Sequence, residues 1–148
     1  KAFVTFRVEN KVSTSSMNSM RVLFVNRMAS MVRGGGETFD LEMSRHLEME
    51  GLEVSYLTGL PLSGEAQTPI DHPQSFIVRS FYTGGLNCYN LPGGWRLRDL
   101  DLRLFEKQVF NWLKKNHERF DLIQVCELNR LVLKWKKAFP DKPMVLRM

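Results

Sequence analysis

The stretch from Arg21 to Thr58 constrains the fold of this chain more than any other. It opens on the short apolar run "RVLFVN". A strand buried on both faces reads this way, because it has no solvent side on which to place polar residues. After three consecutive glycines, Phe39, Met43 and Leu47 recur at helical spacing, and Gly51 stands where the residue after a helix is best a glycine. A second apolar run, Leu52 to Thr58, follows. Strand, helix and strand in so short a span make a βαβ unit, which builds a parallel strand pair.

The rest of the chain continues the alternation. Residues 59–75 contain Pro61, Pro69 and Pro73 and few large apolar side chains, which predicts a loop or excursion. "SFIVRSFY" predicts a third strand, and "TGGLNCYNLPGGW" a long glycine-rich loop. A long amphipathic helix is predicted from Arg96 to Phe120, with Leu97, Leu100, Leu104, Val109, Trp112 and Leu113 broadly on one side. "DLIQVC" follows as a fourth strand, "NRLVLKWKKAF" as a short basic helix and "PMVLRM" as a fifth strand. The predicted fold is therefore α/β, a Rossmann-like three-layer domain with a mostly parallel sheet. Residues 1–19 are expected to be a loosely ordered extension without the features of a signal peptide, and residues 20–148 the domain itself. The apolar run at the far end predicts a domain cut inside a strand.

Composition narrows the function classes. A net charge of +5 favours a polyanion or an anionic membrane surface as a neighbour. No apolar run approaches the roughly 20 residues of a membrane span. Cys88 and Cys126 have no metal-ligand spacing and suggest no disulfide framework, so a reducing cytoplasm is the expected compartment.

The glycines Gly34, Gly35 and Gly36 are costly to order, so they call for a reason. Beyond the carboxyl ends of parallel strands a helix start offers free N–H groups, and glycines let the backbone approach a phosphate without a Cβ in the way. The alternative is a plain surface connection. A Walker loop is excluded, since the chain has no Gly-Lys-Ser/Thr. A dinucleotide fingerprint is disfavoured: Phe39 occupies its third glycine position, the glycines begin too late after Asn26, and the second strand ends without an acid.

On these residues the chain resembles a known family. "RVLFVNRMASMVRGGGETFDLEMSRHLEMEGLEVSYLTG" resembles the start of glycosyltransferase family 4, retaining enzymes of the GT-B fold, with "FDLIQVCE" and "KPMVLRM" similar to two later strands of that family. The resemblance implies the N-terminal, acceptor-side domain of an enzyme that moves a sugar from a nucleotide-sugar donor to a hydroxyl acceptor, free or lipid-linked. Cell-envelope or exopolysaccharide synthesis is the implied setting. It also implies a partner C-terminal domain that holds the donor and most of the catalytic groups, no bound metal or cofactor, and no turnover by this domain alone.

Carried over by position, Gly34, Gly35, Gly36 and Glu37 match the loop that faces the donor diphosphate. Glu37 has an equally good reading as an acid favouring the helix start. Arg27 and Arg33 flank the loop as candidates for a phosphate or an acidic acceptor, or as solvated surface residues. Glu127 is a candidate for acceptor hydroxyls, and Arg147 for either ligand. The family often has His at the positions of Gln124 and Cys126, and Cys126 reads here as a buried small residue. His46 and His117 read as structural.

"FNWLKKNHERF" and "LVLKWKKAF" interleave aromatic and basic residues, a pattern that suits a peripheral contact with anionic lipid at the inner face of the plasma membrane. The competing reading has Trp112 and Trp135 packed inward and the lysines merely solvated. No nucleic-acid module is recognisable. Two alternatives to the glycosyltransferase stay open: a basic α/β module binding a membrane or polyanion, and a nucleotide-dependent Rossmann oxidoreductase.

Overall fold

The computed structural model describes residues 19–29, 34–60, 75–79, 94–126 and 132–147. Its elements run β1 (Arg21–Asn26), α1 (Gly35–Met49), β2 (Glu53–Leu60), β3 (Ser75–Arg79), α2 (Gly94–Asn116), a 3-10 turn (His117–Arg119), β4 (Leu122–Cys126), α3 (Val132–Ala138) and β5 (Met144–Arg147). The five strands form one sheet in the order β3-β2-β1-β4-β5, and each neighbouring pair is parallel. This is the Rossmann-like α/β domain that the alternating pattern predicts.

β1 is the centre, and its side chains alternate between two cores. Leu23 and Val25 join Leu57, Ile123 and Val125 under Phe105, Val109 and Leu113 of α2 and Trp135 of α3. Val22 and Phe24 join Val54, Tyr56 and Cys126 on the other face, where Leu41, Met43 and Leu47 of α1 cover them. A strand buried on both faces needs apolar residues at every position, which is why "RVLFVN" shows no alternation. Gly51 follows α1 with φ 85°, a left-handed conformation that a side chain disfavours.

The predicted helix stripes hold in part: Met43 and Leu47 of α1 and Val109, Trp112 and Leu113 of α2 face the cores, while other positions differ. On α1 the fully buried positions are Asp40 and Ser44, whereas Phe39 is 47% exposed. On α2 the buried line is Asp101, Phe105, Glu106, Val109 and Leu113, with Leu100 at 53% exposure. Both helices are rotated from the purely apolar solution because each buries a carboxylate that serves a cation or amide of the sheet. Strand β2 also reaches Leu60, so Gly59 lies within a strand and not in the predicted loop.

The chain passes from β1 outward to β2 and β3, then returns through α2 to β4 on the opposite side of β1. The strand order therefore reverses between β1 and β4. Ligands of open parallel sheets gather at the carboxyl ends of the strands beside such a reversal.

Candidate functional site at the carboxyl edge of the sheet

Four side chains stand level along that edge. Asn26 of β1 is opposite Thr58 of β2, and Cys126 of β4 is opposite Arg147 of β5, with Val25 and Val125 paired one residue earlier. Asn26, Tyr56 and Cys126 share the sheet face covered by α1. Strand parity places Arg27 on the other face.

Asp40 is the hub. It is fully buried on the second turn of α1. Its carboxylate accepts Nδ2 of Asn26 at 2.6 Å and Nη2 of Arg147 at 3.1 Å, and Nε of Arg147 lies 3.0 Å from its other oxygen. The guanidinium is thus held by one hydrogen bond and one close ionic contact; Nε and Oδ1 approach out of hydrogen-bond alignment, and neither of these buried atoms has a hydrogen-bond partner among the described residues. The Tyr56 hydroxyl lies 2.9 Å from both the Asp40 carbonyl and Ser44 Oγ. Ser44 donates its own proton to the Leu41 carbonyl at 2.8 Å, which leaves its oxygen free to accept from Tyr56.

Burial, followed by the neighbouring Asp40 carboxylate, pushes the Cys126 thiol far above its ordinary range. Burial likewise pushes up the Tyr56 phenol. Burial disfavours the charge on Arg147, but the neighbouring Asp40 carboxylate outweighs it and raises the pKa of the guanidinium. Neither Cys126 nor Tyr56 is a base or nucleophile at neutral pH. The cluster can orient and can attract an anion.

The glycines divide into three roles. Gly34 donates its N–H to Oε2 of Glu37 at 3.0 Å, so Glu37 serves the start of α1 from within. An added Cβ on Gly36 would come 3.1 Å from Nη2 and 3.2 Å from Nη1 of Arg147, so glycine here admits the guanidinium against the helix. At Gly35 an added Cβ meets nothing within 4 Å among the described residues. The first-turn N–H groups of a helix have no intrahelical acceptor, and here they open beside a cation. Arg147 also lies over the ring of Phe39, 5.5 Å from its centroid, which accounts for a large apolar residue left half in solvent.

Of the residues singled out from sequence, Gly34, Gly35, Gly36, Glu37 and Arg147 come together at this edge. Arg27 does not join them. It is 6% exposed, and its Nη1 lies 2.5 Å from Asp101 of α2 on the opposite face. The expectation that it meets a phosphate or acidic acceptor gives way to a buried tether between β1 and α2. Arg33 and Glu127 lie outside the described residues. So do residues 1–18, most of the predicted excursion and the glycine-rich loop. Cys126 is buried at 3% exposure, as its small apolar reading anticipates. Nδ1 of His117 lies 3.0 Å from the Leu113 carbonyl, and its ring stacks on Phe139.

The sequence reading did not single out Asn26, Asp40 or Tyr56. The available signal was an Asp one residue beyond Phe39 and three beyond Glu37 on a predicted helix. An amphipathic count treats such an Asp as surface. No group of three or more metal-ligating side chains occurs among the described residues, and no helix among them is long and apolar enough to cross a membrane. No protein-family model matches the sequence, and no curated protein matches it.

Proposed function

We propose that this domain is the acceptor-side half of a retaining glycosyltransferase of the GT-B type, acting in the cytoplasm on a nucleotide-sugar donor. The observation that carries the reading is the start of α1, opened by glycines at the reversal between β1 and β4, with the Arg147 guanidinium beside it. The resemblance of residues 20–148 to glycosyltransferase family 4 supplies the chemistry.

In the transfer, the bond between the anomeric carbon and the donor phosphate breaks and the nucleoside diphosphate departs. The acceptor hydroxyl oxygen bonds to the anomeric carbon and gives up its proton to the departing phosphate oxygen. Negative charge builds on the departing diphosphate, so donors aimed at it lower the barrier. This domain would contribute the N–H groups of Gly35 and Gly36 together with Arg147, while Asp40 and Asn26 fix the position of Arg147. A second α/β domain facing the carboxyl edge would hold the nucleotide.

The test is Gly35→Val in the intact polypeptide. An added Cβ at Gly35 meets nothing within 4 Å among the described residues, so the melting temperature should change little. Blocking the approach of the backbone to a phosphate should lower transfer by at least about 100-fold. Undiminished transfer in a folded variant would sink the reading, and tight binding of a nicotinamide dinucleotide would move it to an oxidoreductase.

A further inference from the structure

We propose that the outer surface of the α2–α3 layer docks on an anionic lipid bilayer. Lys107, Lys114 and Lys115 of α2 and Lys134 and Lys137 of α3 are exposed, and among the described residues none of them is ion-paired. The two helices present these charges as one surface. Lys114 and Lys134, one from each helix, lie over the same Phe110 ring, at 4.6 Å and 5.2 Å from its centroid. Two ammonium groups brought to one ring repel each other, and an anionic surface relieves that repulsion.

The opposite layer has the opposite sign. Glu42, Glu48, Glu50 and Glu53 are exposed on and beside α1, and its Arg45 is paired with Glu42 at 2.7 Å. The described layers, charged this way, orient in front of a negative surface with α2 and α3 leading. The carboxyl edge then opens along the bilayer plane, since the sheet lies between the two layers.

Two observations favour lipid over nucleic acid. Leu133 is 76% exposed one residue from Lys134, and Leu100 is 53% exposed on α2, so apolar side chains accompany the charges as in an interfacial helix. Single-stranded nucleic acid instead calls for exposed aromatic platforms. Here Trp135 and Phe139 are buried, and Trp112 and Phe110 pack against the core. This inference stands on the surface alone, apart from sugar transfer.

The experiment is co-sedimentation of the full chain with vesicles of phosphatidylcholine containing about one-third phosphatidylglycerol, compared with pure phosphatidylcholine, at low and high salt. Binding is expected only to the anionic vesicles and should weaken with salt. Each lysine near such a surface contributes about five-fold in affinity, so Lys114→Gln with Lys134→Gln should weaken binding about thirty-fold. Leu133→Asn should weaken it several-fold. Arg45→Gln removes the same kind of charge from the other layer and should leave affinity within about two-fold. Melting curves check that each variant is folded. Absence of vesicle binding, equal binding to pure phosphatidylcholine, or an equal loss in Arg45→Gln overturns the proposal. Tighter binding to a mixed-sequence RNA than to vesicles at the same salt, lost in the same double variant, overturns it in favour of nucleic acid.

Discussion

The two faces of the sheet are buried by different means. The α2–α3 face closes over an apolar cluster of Leu23, Val25, Phe105, Val109, Leu113 and Trp135, with the Arg27–Asp101 pair at its upper rim. The α1 face buries Val22, Phe24, Val54 and Tyr56, and then turns polar toward the carboxyl edge through Asn26, Asp40, Ser44 and Arg147. Apolar burial is non-directional and tolerates small shifts. A carboxylate held by a guanidinium and an amide fixes its partners within tenths of an ångström. The first face stabilises the domain; the second holds the candidate site in place.

This contrast is easiest to break at Trp135. Helix α3 spans only Val132–Ala138, too short to persist alone, and Trp135 is its one fully buried residue. Trp135→Ala should therefore cost about 3–5 kcal/mol in urea unfolding. The geometry at Arg147 should remain native. Loss of the α1-side polar network in this variant, followed by the chemical shifts of Asn26 and Asp40, would show that the two faces are not separable.

The α1 face should respond differently. Asp40→Asn keeps the shape of the side chain but leaves Arg147 without its counter-charge, and should cost about 2–3 kcal/mol, discounted because Arg147 is partly solvated. Arg147→Met should recover part of this loss in the double variant. A coupling energy of at least about 1 kcal/mol is expected from the cycle. Strict additivity would mean that the contact contributes no net energy and that Asp40 matters only as a buried acid.

The smallest effect should come from the amino edge, which belongs to neither helical layer. Here Arg21 binds Asp121 through Nε at 3.2 Å and Nη2 at 3.1 Å, with both side chains 43% exposed. The side-chain hydrogen bond from Arg21, then the one from its backbone N–H, hold the Asp121 carboxyl below its usual value. A carboxyl depressed in the folded state contributes stability above its unfolded pKa, about 3.9, and that stability is lost as pH falls through the folded value. Asp121→Asn should lower stability by at most about 1 kcal/mol at neutral pH. The gap to the unsubstituted chain should close in acid, as read from urea midpoints across a pH series. A gap that persists at the acid end would assign the effect to packing.

Much of the fold was legible because burial on both faces of a parallel sheet leaves a mark in one dimension. "RVLFVN" became β1 with the predicted ends, and "DLIQVC" and "PMVLRM" became β4 and β5, each beginning one residue later than predicted. Gly51 occupies the left-handed position its place after α1 implies. The helix faces were less legible. Periodicity assigns Phe39 and Leu100 to the core by hydrophobicity, yet Asp40 and Asp101 take the inward positions. The cause lies far away in the chain: Asp101 answers Arg27 across 74 positions, and Asp40 answers Arg147 across 107. No local pattern contains those partners.

The glycine triplet shows the same division. The sequence alone determined that a Cβ-free stretch stands between a strand and a helix, because strand pattern and periodicity are local properties. On sequence the three glycines read as a loop, whereas Gly34 caps α1 and Gly35 and Gly36 lie in its first turn. Only the tertiary structure decided what each glycine does. Gly34 is bound by Glu37, Gly36 makes room for a guanidinium arriving from the fifth strand, and Gly35 remains open. The physical reason is that register between parallel strands sets which side chains stand side by side at the carboxyl edge. That register is fixed by the two cores acting together, not by any single segment.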